Sequence, residues 1–170
     1  MNLLATAPQW LAVTLYLLLL LAAIQDGLRL RISDWISGLI AVGAFTALLL
    51  DGPISGLWQN ILLFAAVLAV GTFMFGRGWM GGGDIKLLAA SSLWFNLSDG
   101  GRLLGAIAIA GGIEALLIII VRRLPWPDSA RSKSLLLRRR GPIPYGIAIA
   151  FGVVLMGWWL RVWNTPFIHF

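Results

Sequence analysis

Long apolar runs alternate with charged or Gly/Pro-rich interruptions, marking off six segments: roughly Trp10–Gln25, Trp35–Leu50, Leu57–Phe75, Ile85–Leu97, Leu103–Val121 and Ile143–Trp163. A helix rising 1.5 Å per residue needs about 20 residues to cross about 30 Å of hydrocarbon. The third, fifth and sixth runs meet that length; the first and second fall a little short and can extend into their flanks. The fourth reaches only about 20 Å. It cannot cross unless flanking residues join it or the bilayer thins, so a polar group at its start would sit below the headgroup level. The pattern predicts an all-α polytopic membrane protein of about six transmembrane helices, in a single membrane-embedded domain over residues 1–170.

Composition excludes a water-soluble domain. Hydrophobic residues make up 59% of the chain, mean hydropathy is +0.89 and only 12% of residues are charged, against about 25% in soluble proteins. The first apolar run lacks the basic region and small-residue cleavage site of a secretory signal and is expected to be retained as a span. With no cysteine, neither a disulfide nor a thiolate metal site can form, and no metal or cofactor is expected. Trp10, Trp35, Trp58, Trp79 and Trp126 fall near the ends of apolar runs, as interfacial tryptophans do.

The net charge of +6 is gathered in loops, where it reports membrane orientation and gives no reason to expect nucleic acid. Arg29 and Arg31 follow the first run, Arg77 follows the third, and Arg122, Arg123, Arg131, Lys133, Arg138, Arg139 and Arg140 follow the fifth; the other connections carry one basic residue at most. The positive-inside rule places these three loops in the cytoplasm, against anionic lipid, with both termini outside. Arg161, late in the last run, is expected to snorkel to the outer interface.

Within this frame the run Gly81-Gly82-Gly83-Asp84-Ile85-Lys86 is conspicuous. Three glycines should interrupt helix and let a fresh one start near Ile85. Asp84 then lies at or near a helix N-terminus, where free N–H groups and the helix dipole favour a carboxylate. Alone, this is a hinge with Asp84 as a cap. Asp26, however, ends the first run on the same predicted side. Two carboxylates sharing a partly desolvated site cannot both ionise easily, and such a pair can take a proton from water while hydrogen-bonding a scissile carbonyl. Gly81, Gly82 and Gly83 would let a peptide approach the backbone closely.

The other ionisable groups have plainer readings. Ser33 or Asp34 reads as the N-cap of the second helix, Asp51 and Asp99 as outer turn residues and Asp128 as solvated. Glu114, inside the fifth run, is read as a buried structural acid or as support for the aspartates. Lys86 stands at i+2 from Asp84 and cannot face it along a helix; lipid phosphate, a substrate carbonyl or a loop are its candidate partners. His169 lies near the end on the outer side. Gly146, Ala148, Ala150 and Gly152 offer a small-residue face for close packing. Hydrolysis and a small transporter or channel moving a cation or proton through Asp26, Asp84 and Glu114 both remain open, as does a non-enzymatic assembly factor; clustering of two acids at one face favours hydrolysis.

The run Gly81 to Leu87 resembles the signature of the GxGD membrane aspartyl proteases, specifically type IV prepilin peptidases. Asp26-Gly27-Leu28-Arg29-Leu30-Arg31-Ile32 is similar to the region of that family's other catalytic aspartate. Ile143-Pro144-Tyr145-Gly146-Ile147-Ala148-Ile149-Ala150 resembles the opening of the last helix in short members serving tight-adherence (Flp-type) pili. The likeness runs from about Ala22 to Gly152. It implies an aspartic endopeptidase of the bacterial cytoplasmic membrane, cleaving the leader from prepilins whose apolar N-terminal helix lies in the bilayer. Asp26 and Asp84 are then catalytic, with Gly81, Gly82, Gly83 and Lys86 supporting the site. Where many relatives have Pro-Asn, this chain has Ser33-Asp34. It also lacks the N-terminal region, often with a cysteine zinc site, of the long methylating members, so no methyltransferase activity is expected.

Overall fold

The computed structural model describes residues 2–51, 56–127, 137, 141 and 143–164. Asp128, most of the basic loop that follows it, Pro142 and His169 lie outside the described residues. Among those described, all regular structure is helical: α1 (Leu3–Thr6), α2 (Gln9–Arg29), α3 (Asp34–Asp51), α4 (Leu57–Gly76), α5 (Gly82–Ser92), α6 (Leu97–Arg123) and α7 (Tyr145–Asn164). α2, α4, α6 and the stretch Tyr145–Val162 of α7 are long and apolar enough to cross a membrane, and α3 is a shorter apolar helix over Asp34–Leu50. Large apolar side chains point outward from every long helix, among them Leu17, Leu49, Ile61, Ile109 and Trp158. That surface suits hydrocarbon, and the chain is a multi-pass membrane protein.

The expected segments meet the observed helices with three differences. The first helix runs on past Gln25, so Asp26 sits inside it and not beyond it. α6 starts at Leu97, so the stretch read as an outer connection up to Arg102 is helix, opened by the Asn96 side chain accepting the Asp99 N–H at 2.7 Å. Asp99 is therefore no turn residue: it is buried in that first turn, bonded to Asn2 Nδ2 at 2.9 Å and Arg102 at 3.2 Å. Third, α1 was not foreseen, because four residues carry no periodic signal.

The fourth segment is indeed short. At 11 residues, α5 rises only about 16 Å and ends inside the bundle, where Ser91, Ser92, Leu93, Trp94 and Phe95 are all buried. A helix end away from water needs partners for its free carbonyls. Asn60 Nδ2 of α4 donates to the Leu93 carbonyl at 2.8 Å, and the Leu4 N–H of α1 donates to that of Trp94 at 3.3 Å. The Trp94 indole in turn donates to the Ile40 carbonyl of α3 at 3.1 Å. A fully buried asparagine and the extra α1 are thus explained by one cause, the premature end of α5. Arg161, expected at the outer interface, has partners within the protein. Its guanidinium lies at 3.2 Å from the Leu4 carbonyl and 3.4 Å from that of Ala7, satisfying the C-terminal end of α1.

The small-residue face of α7 does the packing expected of it. A Cβ on Gly152 would stand 3.1 Å from the Ile107 backbone nitrogen of α6 and 3.2 Å from its Cα, so the two helices meet nearly backbone to backbone. Gly105 on α6, by contrast, faces open space. Gly152→Ala should therefore lower thermal stability in detergent by about 1–3 kcal/mol through overpacking, whereas Gly105→Ala, which gains only helix propensity, should leave it unchanged or raise it by up to about 1 kcal/mol. Equal melting shifts for the two would contradict the close α6–α7 contact.

Candidate active site

Asp26 occupies the last turns of α2. Its backbone carbonyl accepts the N–H of the C-cap Leu30 at 2.7 Å. Leu30 has a left-handed φ of 53°, a conformation that costs an L residue about 1–2 kcal/mol. The turn is held by a two-point clamp in which Gln25 donates to Ser33 Oγ at 2.9 Å and accepts the Ser33 N–H at 2.7 Å. The Asp26 carboxylate is buried, and its Oδ2 accepts the Gly146 N–H at 2.7 Å. Gly146 is the second residue of α7, so this N–H is one of the donors that a helix start cannot satisfy within itself, at the positive end of the dipole. Only glycine fits: a Cβ there would lie 2.9 Å from Asp26 Oδ2 and 2.8 Å from Ile32 Cδ1.

Asp84 is the third residue of α5, whose N-cap is Gly81. The helix thus begins within the glycine run, and Asp84 is not its cap. Its carboxyl instead turns back against Gly81, whose N–H faces it. Gly83 lets the start of α5 lie against the α2–α3 connection, since a Cβ on it would meet the Ile32 carbonyl oxygen at 3.2 Å. Gly82 has only ordinary contact with Phe75.

Asp26 and Asp84 line one cavity of about 420 Å³, with Leu30, Trp79, Gly81 and Tyr145 among its walls. Arg77 lies over the rings of Phe73 at 4.7 Å and Trp79 at 5.9 Å, a cation–π stack that holds the largely exposed Trp79 at the rim. The 11-residue α5 does not span the bilayer, and its Asp84 carboxyl is pushed up to about 7, first by burial and then by the negative charge of Asp26, with the Gly81 N–H opposing. A carboxyl raised in this way can keep its proton near neutral pH, the state in which one acid of a pair can donate while the other accepts.

Lys86 does not line this cavity. It pairs with Asp34 at the start of α3, Nζ to Oδ2 at 2.7 Å, and both side chains are exposed. Ser33 supplies the first carbonyl of α3, to the Ile36 N–H at 3.1 Å, leaving Asp34 free for the lysine. Glu114 on α6 is close enough to interact electrostatically with both aspartates. Among the described residues, no group of three His, Cys, Asp or Glu side chains could hold a metal ion.

A family model described as the type IV leader peptidase family matches residues 13–122. The chain belongs to the type IV leader peptidase family. No curated protein and no solved structure matches it. A leader peptidase takes a prepilin as substrate, and membership removes the transporter reading. The matched stretch contains Asp26, Asp84 and Glu114 but ends before α7. The backbone donor to Asp26 thus comes from a part of this leader peptidase outside the match. The sequence marked Gly146 as a packing residue and as part of the run resembling the opening of the last helix; its value as a donor follows from the Pro144-Tyr145-Gly146 helix start, which leaves amides free. Trp79 and Arg77 carried no signal beyond a loop tryptophan and an orientation charge.

Gly146→Ala should cut cleavage by this leader peptidase about 10- to 100-fold by displacing the Asp26 carboxylate, measured on purified protein whose melting temperature shows it folded. Lys86→Ala, which breaks only an exposed pair, should change stability by no more than about 1 kcal/mol in the same melting experiment.

Proposed function

We propose that the protein is an aspartic endopeptidase that removes the leader of prepilins of the tight-adherence (Flp) type at the cytoplasmic face of a bacterial inner membrane. The observation that carries this reading is the convergence of Asp26 and Asp84 on one cavity, at the bundle end where α2 closes with Arg29 and α6 with Arg122 and Arg123. Those charges support a cytoplasmic site with both termini outside, and they suit anionic lipid headgroups. The whole chain is read as one peptidase domain, and methyl transfer forms no part of this activity.

In the proposed reaction the ionised carboxyl takes a proton from a water molecule as its oxygen attacks the scissile carbonyl carbon. The protonated carboxyl gives its hydrogen to the carbonyl oxygen. Collapse of the tetrahedral intermediate breaks the C–N bond, with a carboxyl returning a proton to the leaving amine. The two aspartates titrate as a coupled pair, so the roles belong to the pair and not to one residue. Gly83 lets the start of α5 lie close to Ile32, and Gly81 leaves its own part of the cavity wall without a side chain.

Coexpression with a candidate prepilin tests the mechanism. Asp26→Asn and Asp84→Asn should each abolish the mobility shift of the processed pilin, and undiminished processing in either variant would eliminate the paired-acid mechanism. The pH dependence has a defined sign. A carboxyl raised to about 7 is protonated below that pH and ionised above it. Cleavage rate should therefore fall as pH rises through about 7, in a pH–rate profile on purified enzyme.

A further inference from the structure

Glu114 has no role in the mechanism above, yet it is the most unusually placed acid in the molecule. It lies about two-thirds of the way along α6 and faces the first turns of α7. Both carboxyl oxygens are shielded from solvent, and neither has a hydrogen-bond partner among the described residues. The Ala148 amide faces the carboxyl without reaching hydrogen-bonding geometry. Leaving such a group unsatisfied is costly, and a ligand donor that satisfied it would recover that cost on binding.

The surroundings indicate what the ligand must be. Glu114 lines a second cavity, of about 490 Å³, whose other walls include Ile113 and Leu117 of α6 and Ile147, Ala148 and Phe151 of α7. Apart from the glutamate the lining is apolar, and Ile113, Leu117 and Phe151 are more than half exposed, so the cleft opens sideways to lipid. It lies directly beside the aspartate cavity. Ile143 and Tyr145 face the aspartates while Pro144 and Ile147 face the cleft, so one short stretch of chain forms the wall between them. An acyl chain could fill the cleft but has no donor for Glu114. An apolar peptide helix entering from the bilayer brings both the greasy surface and, at its first turn, free backbone N–H groups.

We propose that the α6–α7 cleft docks the apolar helix of the precursor from the lipid side, and that Glu114 anchors it by accepting a hydrogen bond from an N–H group at the helix start. The scissile bond then lies across the Pro144 wall, within reach of Asp26 and Asp84. This rests on the leader-peptidase reading and adds to it the site of substrate selection. Glu114 is a binding residue: it holds substrate and transition state alike, so its loss raises KM and spares kcat.

The test uses the full chain in membranes with a precursor carrying its leader and apolar helix. Benzoylphenylalanine is placed in turn at Leu117, at Ile113 and, as a control, at lipid-facing Leu62 of α4, in an Asp84→Asn background so that binding is read without cleavage. Crosslinks to the precursor from positions 113 and 117 but not 62 are expected. Adducts with lipid alone, crosslinks only between copies of this chain, or equal capture from all three positions would overturn the docking site. In the active enzyme, Glu114→Leu should raise KM about tenfold with kcat within about twofold, as loss of a single hydrogen bond does, and Glu114→Gln, which keeps an acceptor, should recover most of the loss. A fall in kcat with KM unchanged, or a lowered melting temperature with both constants intact, would overturn the anchoring role. Precursor that crosslinks at 113 and 117 yet is never cleaved by wild type would count against the peptidase reading and not against the cleft. Cleavage without those crosslinks would count against the cleft alone.

Discussion

The hydrogen bond from the Gly146 amide to Asp26 is the constraint on which the site depends. It joins residues 120 positions apart in the chain and sets three things at once. It satisfies a helix-start donor in an apolar setting, it orients one carboxylate, and it requires that α7 approach α2 so closely that no side chain fits between them. Net hydrogen-bond contributions are modest, on the order of 1 kcal/mol, but the cost of leaving a buried carboxylate without a donor is greater. The bond therefore acts more as a condition of assembly than as an increment of stability.

A second condition comes from α5. A helix stopping halfway through a bundle exposes carbonyls to an interior without water, and two other elements supply donors to them: Asn60 on α4 and the Leu4 N–H of α1. The same shortness places the start of α5, with Asp84, at the level of Asp26. Site and scaffold are thus linked by length, since a full-length helix here would need neither the buried asparagine nor the inserted N-terminal turn.

Much of this was legible in the sequence. Hydrophobic run lengths marked six of the seven helices, with ends off by as much as six residues at the start of α6, and the short fourth run already pointed to an element that stops early. The glycine run, Asp84 and Asp26 stood out because ionisable groups are rare in so apolar a chain. What stayed hidden is long-range. Lys86 and Asp34 are 52 residues apart, and nothing in either local pattern names the other; Arg161 looked like an interfacial charge because its partner, α1, is too short to show periodicity. Asp84 was read as a possible cap because glycines are poor helix formers, yet the packing of Gly83 on Ile32 draws them into the first turn of α5.

The opposite end of the molecule bears on a problem that any hydrolase in a bilayer must meet. A cavity that admits water and holds a labile proton is half of a conduction pathway. Continued through the bundle, it would drain the ion gradient of the membrane it sits in. Leu3 and Leu4 are completely buried, and Arg161 ties the carbonyls of α1 in place. So seated, α1 fills the end of the bundle away from the aspartates with apolar side chains, the packing that a barrier to ions at that end would require.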